Sequence, residues 1–224
     1  MDNEILKLGV LASGGGTNLQ SILDACERGS VRARVGVVIS DNAQAGALER
    51  AARHNIPAVH IPVANTGSDA WEHDNLAITR CLREHGVGLV CLAGYMRKVT
   101  TGFLNSFPGA VINIHPALLP SFVGHSGQAD AVNYGVKIAG ATVHFVDAEF
   151  DHGPVIIQAA VPVLDDDTEE SLGRRILTQE HRIYPQAIQW FAEGRLSVAG
   201  RKVVVQGGKS GEGESLISPA LEIP

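Results

Sequence analysis

The sequence predicts an α/β fold. The expected architecture is a Rossmann-like, open, twisted and mostly parallel sheet with helices on both faces and antiparallel strands towards the C-terminal part. Three observations lead there. Apolar runs of strand length alternate with stretches of helical periodicity from Ile5 to Ile114. One of those runs, VGLVCLA at Val87–Ala93, is apolar throughout, as a strand buried on both faces of a parallel sheet should be. After residue 135 two strand-like runs follow each other across a short loop, which favours antiparallel pairing.

The elements follow in order. Ile5–Ala12 reads as the first strand, followed by a glycine turn and a helix from Asn18 to about Arg28. Arg34–Ser40 (RVGVVIS) is a strand, Ala45–His54 a helix, and Ala58–Ile61 a short strand entered from Pro57. Asp69–Glu84 is a longer helix, Val87–Ala93 the central strand, and Ala110–Ile114 the next one. Strands separated by helices imply right-handed βαβ crossovers. ATVHFV at Ala141–Val146 and VIIQAAVPV at Val155–Val163 are the expected antiparallel pair. Thr168 is placed to cap a helix running to about Glu193, with Glu169 and Ser171 in its first turn and Pro185 as an expected kink. Leu196–Val198 and Lys202–Val205 flank AGR and resemble a hairpin. QGGKSGEGESLISP, from Gln206 onward, is Gly- and Ser-rich and predicts a flexible tail over 206–224. A single domain over 1–205 is expected, with halves at 1–100 and 101–205.

Composition narrows the function. The chain has 224 residues, 45% hydrophobic and 19% charged, and a formal net charge of −6. That acidic balance argues against a nucleic-acid partner, which would call for a basic stripe. No run of about 18 apolar residues exists, so no membrane span is expected. The N-terminal MDNEILKLGV lacks the marks of a signal peptide. The cysteines Cys26, Cys81 and Cys91 are scattered and form no CxxC pair, which suits reduced thiols in a cytoplasmic protein.

Two segments carry candidate chemistry. GVLASGGGTNLQ, residues 9–20, is a strand, a glycine turn and a helix start. Helix N-terminal N–H groups bind anions, and glycine lets a phosphate come close. The GxGxxG fingerprint is not met, because Leu19 fills its third glycine slot, and no Lys-Ser/Thr pair follows for a nucleoside triphosphate. A phosphate monoester held by Gly16, Thr17 and Asn18 is one reading. A tight βα turn with Asn18 capping its helix is the other.

VINIHPALLP, residues 111–120, places Asn113 and His115 on one face of a strand end, since alternate strand residues share a face. Asp151 stands before Gly153-Pro154, a turn signal that could return its carboxylate towards His115. A buried carboxylate beside an imidazole favours the imidazolium. An amide donor and an imidazolium donor together suit a developing oxyanion, and histidine moves protons near neutral pH. Each residue taken singly also has a plain structural reading, as a turn former, a backbone-bonded histidine or a loop acid. No GxSxG or neighbouring cysteine supplies a nucleophile, which points to attack by the substrate itself. His115, His125, His144 and His152 lack HxxxH or HExxH spacing, so no metal is expected. His144, alternating with Val143 and Phe145, reads as a core or supporting group.

SGGGTNL, LAGYMR at 92–97, NIHPALLPSF at 113–122 and TVHFVDAEFDHGPVIIQ at 142–158 together resemble the glycinamide ribonucleotide formyltransferases, over roughly residues 5–200. The resemblance implies transfer of a formyl group from 10-formyltetrahydrofolate to the ribonucleotide amine through a tetrahedral intermediate. It implies Asn113, His115 and Asp151 as catalytic residues, with Asp151 holding His115 charged and helping to relay a proton. Gly16, Thr17 and Asn18 would hold the phosphate and Glu180 the ribose. Folate would lie against Met96, Arg97, Lys98 and Val99, with Asn113 and Asp147, Ala148, Glu149, Phe150 and Asp151. Trp71 stands where relatives often carry a folate-tail Arg, and Leu177 where many carry Lys or Gln. The implied partners are the two small molecules, with neither nucleic acid nor membrane, in a monomer or homodimer. Three alternatives share parts of the pattern: methionyl-tRNA formyltransferase, formyltetrahydrofolate deformylase, and a non-catalytic nucleotide-binding module. The first normally adds an RNA-binding barrel and a basic surface, for which this chain lacks length and charge.

Overall fold

The structure is a computed structural model that describes residues 5–63, 68–208, 217–218 and 222. The chain forms two compact units, residues 1–113 and 114–224, so the boundary falls thirteen residues later than the expected division at 100.

The first unit is a parallel sheet. In chain order it holds β1 (Leu6–Leu11), α1 (Thr17–Glu27), β2 (Ala33–Ser40), α2 (Gly46–Arg53), β3 (Ala58–His60), α3 (Ser68–Glu84), β4 (Leu89–Leu92), α4 (Thr101–Ser106) and the start of β5 (Val111–His115). The strands lie in the order β3-β2-β1-β4-β5. Each neighbouring pair is parallel, with Leu8 beside both Val35 and Leu89, and Leu92 beside Asn113. β1 and β4 sit at the centre, and the four residues of β4 are all buried, which is why that run has no polar alternation. The unit's core is mostly aliphatic, with Leu8, Leu11, Leu19, Ile22, Ile39, Ile78 and Leu82 fully buried beside Phe103.

The second unit carries the antiparallel strands. It holds α5 (Gly127–Tyr134), β6 (Ile138–Phe145), β7 (Val155–Pro162), α6 (Glu169–Ala192), β8 (Leu196–Ala199), β9 (Lys202–Val205) and β10 (Ile217–Ser218). β6 and β7 pair antiparallel from Ile138–Pro162 to His144–Val155, with a register shift between Val143 and His144. β8 and β9 form the expected hairpin, and β9 meets β7 in parallel at Lys202–Val155. α6 packs on β6 and β7, and its Leu172, Ile176, Ile183, Tyr184 and Ile188 are buried. Its start is fixed by a reciprocal cap: Thr168 Oγ1 accepts from the Ser171 N–H, and Ser171 Oγ from the Thr168 N–H. Asp167 adds a bidentate pair with Arg175, which holds the Asp167 carboxyl well below its ordinary range. Pro185 lies within α6.

Two helices, α4 and α5, fall where the sequence pattern assigned no element. α4 has six residues and α5 buries only Gly127 and Ala131, so neither shows a helical apolar stripe. The expected flexible tail has anchored points. Ile217 and Ser218 pair with Ala159 and Gln158 of β7, and Glu222 meets Arg195 through two guanidinium nitrogens and donates its N–H to Gln186 Oε1. The tail's other residues after Gly208 lie outside the described set.

Candidate active site

His115 ends β5, and Pro116 follows with no N–H to continue a ladder. Asn113, two residues back on the same strand, is half-buried and shares its face. The His115 side chain is 5% exposed and that of Asp151 6%, with Nδ1 and Oδ2 3.5 Å apart. The later turn therefore does return the carboxylate to the histidine. His115 Nε2 lies 2.9 Å from the Phe122 carbonyl. A carbonyl only accepts, so Nε2 carries hydrogen and Nδ1 is the ring atom that gains or loses the proton. When Nδ1 is protonated, its N–H faces a carboxylate.

Asp151 is set from three sides. Its Oδ2 accepts the Gly124 N–H at 3.0 Å, and its Oδ1 lies 3.8 Å from His144 Nε2. His144 Nδ1–H donates to the Phe145 carbonyl at 2.8 Å. Burial pushes the His144 imidazole below its ordinary value, against the opposing pull of that backbone bond and of Asp151. His144 is thus a neutral neighbour of the carboxylate that faces His115.

The backbone explains how the carboxylate is aimed. Asp151 has φ +49°, a left-handed conformation that Asp and Asn tolerate better than most residues. Gly153 passes so close to β6 that a Cβ there would lie 1.8 Å from the Phe145 carbonyl oxygen. The loop between is braced by Asp147, whose Oδ1 accepts from the Glu149 N–H and Oδ2 from His152 Nδ1. Arg201, in the β8–β9 turn, donates to the His152 carbonyl and lies against its ring. Beside this loop is a cavity of about 550 Å³, lined by Leu119, Pro120, Val123, Phe150, Asp151 and Arg201 among others.

The glycine loop belongs to the first unit. Gly16, with φ +72°, is the N-cap of α1, and a Cβ there would lie 2.7 Å from Ala47 Cα, so only glycine fits. Asn18 is buried inside the first turn; the alternative that it caps the helix is corrected, because Gly16 occupies that position. Thr17 is exposed beside it.

The residues expected to meet folate lie in two places. In the first unit, Met96 and Lys98 are exposed and Val99 is buried. The Arg97 guanidinium is committed to Asp41 at 2.7 Å, which the sequence did not suggest. In the second unit, Ala148, Glu149 and Phe150 are exposed on the braced loop, between Asp147 and Asp151. Glu180 is buried in α6, and Leu177 half-buried one turn before it. The Trp71 side chain lies outside the described residues. His125 is exposed and meets the edge of Phe150. Sequence reasoning missed the Phe122 carbonyl and Gly124 N–H, because main-chain groups leave no trace in residue identity. Gly124 and the Ser126-Gly127 pair are the cues that the chain turns there.

A buried imidazole–carboxylate pair, with an amide on the same strand face as the imidazole, suits stabilisation of an oxyanion and proton transfer. The chain belongs to the formyl transferase family, whose model matches residues 6–188. Within it, the relatives are specific. The chain is 44% identical over 206 residues to phosphoribosylglycinamide formyltransferase of Mycobacterium tuberculosis, covering 89% of this chain and 94% of that one. It is 43% identical over 190 residues to the Haemophilus influenzae protein of the same name, covering 85% and 89%. The crystal structure of glycinamide ribonucleotide transformylase 1 from Symbiobacterium toebii matches with a TM-score of 0.87 and 52% identity over 92% of this chain and 96% of that one. A formyltetrahydrofolate deformylase from Pseudomonas syringae has the same fold at 29% identity, with a TM-score of 0.82, but only 66% of its chain is covered.

Proposed function

We propose that the chain is a phosphoribosylglycinamide formyltransferase. It transfers the formyl group of 10-formyltetrahydrofolate to the amine of glycinamide ribonucleotide, giving formylglycinamide ribonucleotide and tetrahydrofolate in purine synthesis. The observation that carries this reading is the buried His115–Asp151 pair, 3.5 Å apart, in a chain of this family.

In the proposed mechanism the substrate amine attacks the formyl carbon directly. The carbonyl oxygen becomes an oxyanion that accepts hydrogen bonds from the Asn113 amide and from His115. His115 Nε2–H now donates to the Phe122 carbonyl, and a substrate oxygen replaces that carbonyl as acceptor. Asp151 supports the charged imidazolium through Nδ1 and helps move the proton from the attacking amine towards the departing folate nitrogen. Gly16, Thr17 and Asn18 bind the phosphate and Glu180 the ribose. The 10-formylfolate is held by Met96–Val99 and the 147–151 loop. No step needs a metal or an enzyme nucleophile.

The test mixes the protein with both substrates and follows loss of the folate formyl group. Loss that requires the ribonucleotide is expected. Equal loss without it would instead support the deformylase reading. His115→Ala is expected to lower turnover by about 10²-fold or more.

A further inference from the structure

The glycine loop is fastened to the segment around α2 by its carbonyl oxygens. Asn42 Nδ2 donates to the Ser13 carbonyl at 3.4 Å, the Ala47 N–H to the Gly14 carbonyl at 3.1 Å, and Arg50 Nε to the Gly15 carbonyl at 2.8 Å. In a trans peptide the C=O and the following N–H point in opposite directions. Fixing these three oxygens on one side therefore turns the N–H groups of Gly14, Gly15 and Gly16 to the other. Among the described residues, none of those three N–H groups donates to another residue.

Gly14 and Gly15 have no conformational or packing need to be glycine. Neither has a positive φ, and a Cβ on either would meet nothing within 4 Å. What the missing side chains leave is open approach to a row of outward N–H groups, an arrangement that suits an anion.

Arg50 is the charged anchor, and it is itself held. Its Nη1 donates to Gln20 Oε1 at 3.1 Å. That orients the Gln20 amide, whose Nε2 donates to Asp24 Oδ1 at 2.8 Å and to His54 Nε2 at 3.2 Å. His54 Nε2 is then an acceptor, so its hydrogen sits on Nδ1, 2.7 Å from Glu27 Oε1. Arg50, Gln20 and His54 thereby brace α1 against α2 behind the loop.

We propose that Arg50 is a positioning residue for the phosphate subsite. It holds the Gly15 carbonyl so that the loop's N–H groups stay turned towards a phosphate monoester, and it sets a positive charge behind them. The inference rests on the reading of this loop as the ribonucleotide's phosphate site.

Arg50→Ala, Arg50→Lys and Gln20→Ala test it, with kcat, the KM of each substrate, and the Ki of inorganic phosphate competing with the ribonucleotide. Losing a charge-assisted hydrogen bond predicts that Arg50→Ala raises the ribonucleotide KM and the phosphate Ki together by about tenfold. Because the phosphate is held equally in the ground state and the transition state, kcat and the folate KM stay within about twofold. Arg50→Lys recovers part of the loss, since one ammonium keeps the charge but not the fork. Gln20→Ala moves both constants the same way by less. An unchanged ribonucleotide KM in folded Arg50→Ala, or an equal rise for both substrates, overturns the proposal. If Arg50→Ala does not fold, the other two variants decide by the same criteria. A parent protein that phosphate does not inhibit refutes the phosphate-site reading itself, separately from the role of Arg50.

Discussion

Replacing Asp151 with Asn removes a charge and little else. The new amide oxygen can accept the Gly124 N–H where Oδ2 does now, and the amide nitrogen then faces His144 Nε2, which carries no hydrogen. Asn adopts the left-handed conformation at φ +49° at least as readily as Asp. The fold should therefore tolerate the change, with a melting temperature within about 3 °C of the parent, the shift of roughly 1 kcal/mol. The electrostatic loss is large. At 3.5 Å, unit charges attract by about 5 kcal/mol at an effective dielectric of about 20. Both side chains are nearly fully buried, so solvent screens little of that. Part of it is returned because the carboxylate no longer has to stay desolvated. A net loss of about 3–4 kcal/mol corresponds to a fall in kcat of about 10²–10³-fold. The assay is steady-state formyl transfer with both substrates saturating. A folded Asp151→Asn protein with kcat within about threefold of the parent would refute the role given to the pair.

Three further outcomes follow from the same geometry. His144 is held neutral by burial, so below its ordinary titration range the unfolded state binds a proton that the folded state refuses. Stability then falls as pH drops from about 6.5 towards the lower folded value, and His144→Gln should lose less melting temperature than the parent between about pH 7 and about pH 5. An identical slope would contradict this. Gly153→Ala forces a Cβ to within 1.8 Å of the Phe145 carbonyl; it should lower stability by about 1–3 kcal/mol or more and reduce kcat by shifting Asp151, as melting and turnover will show. Thr168→Ala breaks the α6 cap and should cost about 1 kcal/mol, read as a melting shift of about 2–4 °C with activity retained.

Much of the fold was legible because the buried strands leave a continuous apolar signal. β4 and the β6–β7 pair were visible for that reason, and the Thr168 cap marked α6 within a residue. α4 and α5 were not, since a short helix with one or two buried residues has no stripe to read. At the site, the spacing of Asn113 and His115 was legible as a shared strand face. The meeting of Asp151 with His115 was not fixed by spacing, because thirty-five residues separate them and the loop's return depends on Gly153 and on the brace from Arg201. The glycine turn was visible as glycine, but the cap at Gly16 was not, because a glycine N-cap contributes no side chain. Arg50 looked like an ordinary surface charge and Arg97 like a folate contact, and their partners, a backbone carbonyl and a carboxylate more than thirty residues away, appear only in three dimensions.

The most direct test of the account is the fate of the formyl carbon. With 10-formyltetrahydrofolate labelled in its formyl group, the label should appear in formylglycinamide ribonucleotide only when glycinamide ribonucleotide is present, in step with tetrahydrofolate. Label released as formate at the same rate without the ribonucleotide would contradict direct transfer.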